Sequence, residues 1–429
     1  MRPRAWRAAA IAAIAAGPIV LAATPAMEQL AERPLIGAVN HPAITYHTRP
    51  TRDRVAALNQ RLESGEAHLA FEPGSGYLRS VLDALKVPVE SQMLVMSKTG
   101  IQGLHTGPTN PRAILFNDAV TVGYIRGAPL LELTVVDPEQ GIVFYVLEQQ
   151  AQARPQFDRR SGCLTCHNGY STLHVPGLLA RSVAVAADGL PLGQYGTYDA
   201  DDRTPFRNRW GGWYVTGTHG AMRHMGNGIV APGETRDSSI SERTLNRVSL
   251  DGLFDPATYP SRHSDIAALM VFQHQVRATN LIIRIGWEAR IAAYAAPIDW
   301  TSKPFDAGIR ELVDDLLFVD EEPLTAPIKG TSGFAEMFSA GGPADAAHRS
   351  LRQLDLERRL LRYPCSFMID SEVFAALPAP LRAAVYARMF EVLSGQDADP
   401  KYARLADADR RAIIEILRAT RTDLPDRFK

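Results

Sequence analysis

The amino-acid sequence predicts an α+β fold, with an antiparallel, strand-rich part and a long buried helix followed by a helical C-terminal region. Three observations carry this expectation. Ala113 to Phe116, Val120 to Ile125, Leu130 to Val136 and Ile142 to Leu147 are short apolar runs separated by turn residues such as Asn117-Asp118 and Asp137-Pro138, the spacing of an antiparallel meander. The stretch from Ser264 to Ala295 is apolar on most sides, with Gln273, His274, Arg277 and Arg284 as exceptions, and such a helix is buried. Beyond Pro343, apolar residues recur at amphipathic helical spacing.

In chain order, Pro34 to Pro50 has no period, and Arg52 to Leu62 and Gly76 to Leu85 read as two short helices. The meander follows. Arg181 to Ala187 and Pro191 to Tyr198 form a hairpin around Asp188-Gly189, because Asp-Gly favours the positive φ angles of a tight turn. Arg209 to Thr216 is one more strand, and Gly217 to Pro260 is an extended loop, rich in Gly, Asn, Ser and Asp. Ser264 is the expected N-cap of the long helix. Asp320 to Pro343 is loop-like, and Ala344 to Arg362, Pro380 to Leu393 and Asp407 to Thr420 are three amphipathic helices, with Pro380 at a first helical position and Gly395 as a stop.

Arg2, Arg4 and Arg7 precede an apolar stretch from Ala8 to Ala23 that Gly17-Pro18 interrupts, and Thr24-Pro25-Ala26 follows. A spanning helix needs about 20 apolar residues, so residues 1–26 are expected to be a secretory signal peptide, with a retained N-terminal anchor as the alternative. The expected division is then a mixed α+β domain over 27–296, a loop-rich connection over 297–343 and a helical region over 344–429. Removing the leader moves the net charge from −1 to −4. That balance gives no electrostatic reason for nucleic acid, since phosphate binding needs a surplus of Lys and Arg. No later segment approaches a membrane span, so the expected location is the periplasm or another exported compartment. With only Cys163, Cys166 and Cys365, an exported chain of 429 residues cannot rest on a disulfide framework.

Two of those cysteines stand in Cys163-Leu164-Thr165-Cys166-His167. Thiols three positions apart reach the two vinyl groups of a haem, while the adjacent imidazole reaches the iron. The motif resembles that of c-type cytochromes, which are matured outside the cytoplasm, in agreement with the leader. The resemblance covers five residues. It implies one covalently bound haem c per chain, thioethers at Cys163 and Cys166, His167 as proximal iron ligand, and electron transfer. In the small all-helical cytochrome c domain the motif closely follows an N-terminal helix, whereas here it follows the run Ile142 to Leu147, so the resemblance is one of chemistry rather than fold. A structural zinc site lacks a second ligand pair at the usual spacing, and a thioredoxin-like disulfide would open a helix inside a βαβ pattern.

The sixth iron position separates an electron carrier from an enzyme. Its candidates lie mainly in the Gly-rich stretch Thr216 to Asn227, with Met225 first, 58 residues beyond His167, and Met222 and His224 close by. His274 is the competitor from the long helix, sharing a face with Met270. His174, seven residues past the motif, could reach only the proximal side or the haem edge, and it reads as a structural residue. Trp210, Trp213 and Tyr214 are candidates to wall the haem, and Arg277 and Arg284 to meet its propionates, although core packing and an exposed helix edge account for them too. Cys365 reads as a small buried apolar residue.

The leading expectation is a periplasmic monohaem electron-transfer protein with an unidentified redox protein as partner. The alternatives are a secreted haem enzyme of peroxidase or hydroxylamine-oxidising type with an open distal site, and a haem-based gas sensor. A chain this long exceeds what carrying one electron requires.

Overall fold

The computed structural model describes residues 35–298 and 303–428; the leader 1–26 lies outside the described residues. Seven strands form one antiparallel sheet in the order β6-β5-β4-β3-β2-β1-β9: β1 Met93–Val95, β2 Arg112–Phe116, β3 Val120–Tyr124, β4 Leu130–Asp137, β5 Gly141–Glu148, β6 Asp158–Arg159 and β9 Trp213–Tyr214. Strands β7 Arg181–Val183 and β8 Thr197–Asp199 pair separately as a hairpin, its tip turning at Gly189 with φ 88°. The α+β class and the meander are as the sequence predicts. Side chains at the turns set the register: Asn117 Oδ1 accepts from the Ala119 and Val120 amides at 3.0 and 2.9 Å, and Asp137 Oδ1 accepts from those of Glu139 and Gln140 at 3.0 and 2.8 Å.

Because successive side chains alternate between faces, the register puts Gly123, Glu132 and Val146 on one face and Val122, Leu133 and Tyr145 on the other. Helices α1 Arg54–Ser64 and α2 Leu78–Leu85 lie against the second face. Tyr145 donates its hydroxyl to Asp53, the α1 N-cap, at 2.8 Å. The first face is shared by the cysteine motif, whose last turn is α3 Leu164–His167, and by the long helix α4 Ile266–Ala295. There the Phe116 and Phe272 rings sit 5.0 Å apart, and a Cβ on Gly141 would meet Ile283 Cγ2 at 2.8 Å.

Helix α4 is buried along most of its length. Its N-cap is Asp265 rather than Ser264: Asp265 Oδ1 accepts from the Ala267 and Ala268 amides at 2.8 and 3.3 Å. Ser264 is drawn away, donating to Tyr214 O at 2.6 Å and accepting from the Leu94 amide at 2.9 Å, so it ties two strands to the helix start.

The connection expected to be loop-rich contains α5 Lys303–Leu316 and α6 Phe334–Ser339. Gly308 allows α5 to pack closely, since a Cβ there would meet Ile285 Cγ2 of α4 at 3.3 Å. Helices α8 Ala379–Leu393 and α9 Asp407–Thr420 continue the layer after the single turn α7 Glu372–Ala375, and both match their expected segments. The helix expected over Ala344 to Arg362 does not form. Asp345 Oδ1 accepts from the Ala347 and Arg349 amides at 2.9 and 2.8 Å, His348 and Leu356 take positive φ, and Leu351, Leu356, Leu360 and Leu361 are buried from an irregular chain. Local capping by Asp345 and burial of those leucines override the helical spacing. The strand expected from Arg209 to Thr216 shortens to two residues, because Trp210 and Gly212 adopt φ 64° and 79° in a turn. One hydrophobic core runs from Leu35 to Phe428. Among the described residues no helix is long and apolar enough to cross a membrane.

Candidate functional site

The motif is launched from the sheet edge. Strand β6 pairs with β5, the Arg160 amide donates to Phe144 O at 2.8 Å, and a tight turn over Ser161–Cys163 leads into α3. This compact helical geometry leaves Cys163 half-buried and Cys166 exposed, both as free thiols, while Leu164 anchors the turn on the core. Burial, with the Glu132 carboxylate nearby, pushes the Cys163 thiol up from its usual range. A disulfide-exchange centre needs the opposite, a thiol made acidic by its surroundings.

His167 is held from both ends by one residue. Its Nδ1 donates to Gly177 O at 2.8 Å, and the Gly177 amide donates to His167 O at 3.0 Å. Gly177 fits because a Cβ would meet Asn280 Oδ1 at 2.4 Å and Thr172 Cβ at 2.9 Å. Asn280 of α4 is itself fixed, accepting from the Leu178 amide and donating to Leu178 O, both at 2.9 Å. The long helix thus positions the loop that orients the imidazole. The ring lies 4.9 Å from that of Phe144. Burial, then the positive Arg112 and Arg181, lower the His167 pKa despite the bond to Gly177, so the ring is neutral near pH 7. A neutral imidazole whose Nδ1–H is committed to a carbonyl presents Nε2 as a metal ligand.

These residues fit a covalently attached haem. The two thiols and Nε2 occupy one helical turn. Thr134, whose register partner is Phe144, and Asn168, next to His167, each carry a buried oxygen without a hydrogen-bond partner. Arg112 and Arg181 lie close enough to act on His167, and each is paired with a carboxylate, Glu132 and Asp199, at 3.4 Å. Arg277 and Arg284 are likewise taken up by carboxylates, Arg277 by Glu311 at 3.3 Å and Asp315 at 2.8 Å, and Arg284 by Glu311 at 2.8 Å.

The sixth-ligand candidates fall into separate places. Met225 is buried in a small cluster with Ala184, Val230 and Ile240, where Ser182 Oγ sits 3.8 Å from its sulfur. Met222 is buried in the main core. His224 is enclosed by Trp210 and Phe206 with ring centroids at 5.1 and 6.0 Å, and its Nε2 lies 3.1 Å from His219 Nε2. Burial, then the neighbouring His219, pushes the His224 pKa well below its ordinary value. Since the Asn246 amide donates to His219 Nε2 at 3.0 Å, His224 is the donor of the pair. Trp213 donates its indole N–H to Arg181 O at 2.7 Å, Tyr214 is buried, and His174 makes an edge contact with Tyr170. Cys365 is fully buried, as expected.

His274 belongs to a different constellation. Its Nδ1 is 3.4 Å from Asp202 Oδ1 and its Nε2 is 2.6 Å from Ser366 Oγ, while its ring stacks on Phe318 at 4.1 Å. Burial opposes charge on this ring, yet the hydrogen bond to Asp202 and the carboxylates of Asp202, Asp315 and Glu321 hold its pKa above the ordinary value. The acids come from Asp201-Asp202 and Asp314-Asp315, pairs of residues that the sequence shows but whose meeting across more than a hundred positions has no local signal.

No family model, curated protein or solved structure matches this chain, so its function is argued from its own residues.

Proposed function

We propose that this protein is an exported c-type cytochrome, with one haem joined to Cys163 and Cys166 and its iron ligated by His167, and that its activity is electron transfer with another redox protein. The observation that carries the reading is the combination of two free thiols, one capping and one within a single helical turn, with a histidine whose Nδ1 is held by Gly177 O. When bound, the haem supplies one-electron chemistry at its iron. The chain does the rest: Gly177 fixes the tautomer and direction of His167, and Phe144 packs against that ring.

A second reading, a haem oxidoreductase with an open sixth position, is favoured by one observation. Met225, His224 and His274 are each buried in a cluster of their own, and none of their hydrogen bonds or ring contacts among the described residues goes to the turn Cys163–His167.

Extraction in acid acetone tests the first claim. Haem remaining with the polypeptide is expected, and its loss to the solvent, or its absence from correctly matured protein, overturns the proposal. Replacing both Cys163 and Cys166 by Ala is expected to abolish attachment, since no thiol remains for either vinyl. Peroxide or hydroxylamine turnover by a high-spin protein would establish the second reading in place of the carrier.

A further inference from the structure

Asp202, His274 and Asp315 bring one ligand atom each within 4.8 Å of one another. All three are buried, and only 1% of the Asp315 side chain stays exposed. Two other readings of this constellation are open to test on geometry. Asp202, His274 and Ser366 stand in the order of a catalytic triad. However, Ser366 is fully buried, and its Oγ accepts from the Met368 amide at 3.1 Å as the cap of the turn Phe367–Asp370, so no substrate reaches it. A plain ion-pair network is the other reading. Arg277 Nε does lie 2.8 Å from Asp315 Oδ1, but neither Asp315 oxygen nor Arg277 Nε has a hydrogen-bond partner there. Arg277 is shared instead, reaching Glu311 at 3.3 Å and Asp201 at 3.8 Å.

Asp202 and Asp315 line a cleft of about 270 Å³. Five carboxylates line it, those of Asp202, Glu311, Asp314, Asp315 and Asp320, against three guanidiniums, so its potential favours a cation. Asp315 is ion-paired with the shared Arg277, but neither of its oxygens accepts a hydrogen bond, which is costly for a buried carboxylate and which a metal ion satisfies. Phe318 fixes the plane of His274 and Ser366 Oγ is at hand for Nε2–H, so a cation bound between Nδ1 and Asp202 takes the place of the proton that this pair otherwise shares.

We propose that Asp202, His274 and Asp315 form a binding site for one divalent first-row cation, of the Mn2+ or Zn2+ kind, with a further coordination position open to the cleft. Two carboxylate oxygens and one imidazole nitrogen suit these ions, whereas Ca2+ takes an all-oxygen set of six to eight ligands. Three protein ligands and one open position are what reactive rather than structural metal sites keep. The site is separate from the haem motif and does not depend on it.

The test is metal uptake by the haem-loaded full chain, stripped with chelator, incubated with Mn2+ or Zn2+ and desalted, with metal content measured beside iron. The expected result is about one added Mn or Zn per chain and a melting temperature that rises with metal concentration. Asp315→Asn, nearly the same size, is expected to weaken uptake at least tenfold while the haem spectrum stays unchanged. His274→Gln is expected to do the same. Arg277→Met removes the cation that competes for Asp315 and is expected to tighten binding, a result that an ion-pair network alone does not produce. Uptake of neither metal by folded wild-type protein overturns the proposal, as does uptake that Asp315→Asn and His274→Gln leave unchanged.

Discussion

His167 and Gly177 hold each other by two hydrogen bonds, the imidazole Nδ1–H to the glycine carbonyl at 2.8 Å and the glycine amide to the histidine carbonyl at 3.0 Å. The pair ties the ligand of the proposed haem to a loop that Asn280 anchors on the long helix. Gly177→Ala places a methyl group against Asn280 and Thr172. Because Asn280 is pinned by Leu178, relief must come from the loop, and the expected cost is about 1–3 kcal/mol of stability together with a shifted haem spectrum. A normal melting temperature with an unchanged spectrum would show that the loop yields without moving His167.

Met225→Ala separates the two readings of the iron. With Met225 packed among Ala184, Val230 and Ile240, the expected outcome is an unchanged ferric spectrum and a loss of roughly 2–5 kcal/mol, the usual cost of emptying a buried methionine site. If instead the far-red band that thioether ligation gives in c-type cytochromes is present and disappears in the variant, Met225 is the sixth ligand. His224→Ala and His274→Ala are read the same way, for a bis-imidazole spectrum.

Glu288 makes stability depend on pH. Burial pushes its carboxyl up to about 7 from 4.5, Arg284 opposing the shift and Glu311 adding to it. Between these values the folded chain keeps a proton that the unfolded chain releases, so stability falls as pH rises through this window. Relative to Glu288→Gln, the wild type is expected to lose roughly 3 kcal/mol between about pH 4.5 and 7. Urea midpoints at pH 5 and pH 8 measure this, and parallel profiles for the two proteins would refute it.

Asp265 joins the start of α4 to the stretch at Thr331 and Ser332. Besides capping α4 with Oδ1, it accepts on Oδ2 from the Thr331 amide at 2.6 Å, the Ser332 amide at 2.8 Å and the Ser332 hydroxyl at 3.0 Å. Asp265→Ala removes the acceptor of four backbone amides, those of Ala267, Ala268, Thr331 and Ser332, so its expected cost is about 3–5 kcal/mol, more than the ~1 kcal/mol of an ordinary cap. Thermal unfolding checks it, and a loss near 1 kcal/mol would mean that water or Thr216 takes over the orphaned donors.

The sequence by itself determined what depends on near neighbours. Alternating apolar runs set the meander, Asp188-Gly189 set the hairpin tip, a long apolar stretch set α4, and five consecutive residues set the chemistry proposed at Cys163–His167. Each is a matter of backbone state or short spacing. Tertiary structure decided which polar groups meet. It chose Asp265 over Ser264 as the cap because Ser264 is bonded to two strands, and it unwound the expected helix over Ala344 to Arg362 by burying its leucines from an irregular chain. It placed Gly177 against His167, and it gathered Asp202, His274 and Asp315 from three distant segments. Such meetings have no period to read, because the side chains that face one another are brought together only when the layers pack.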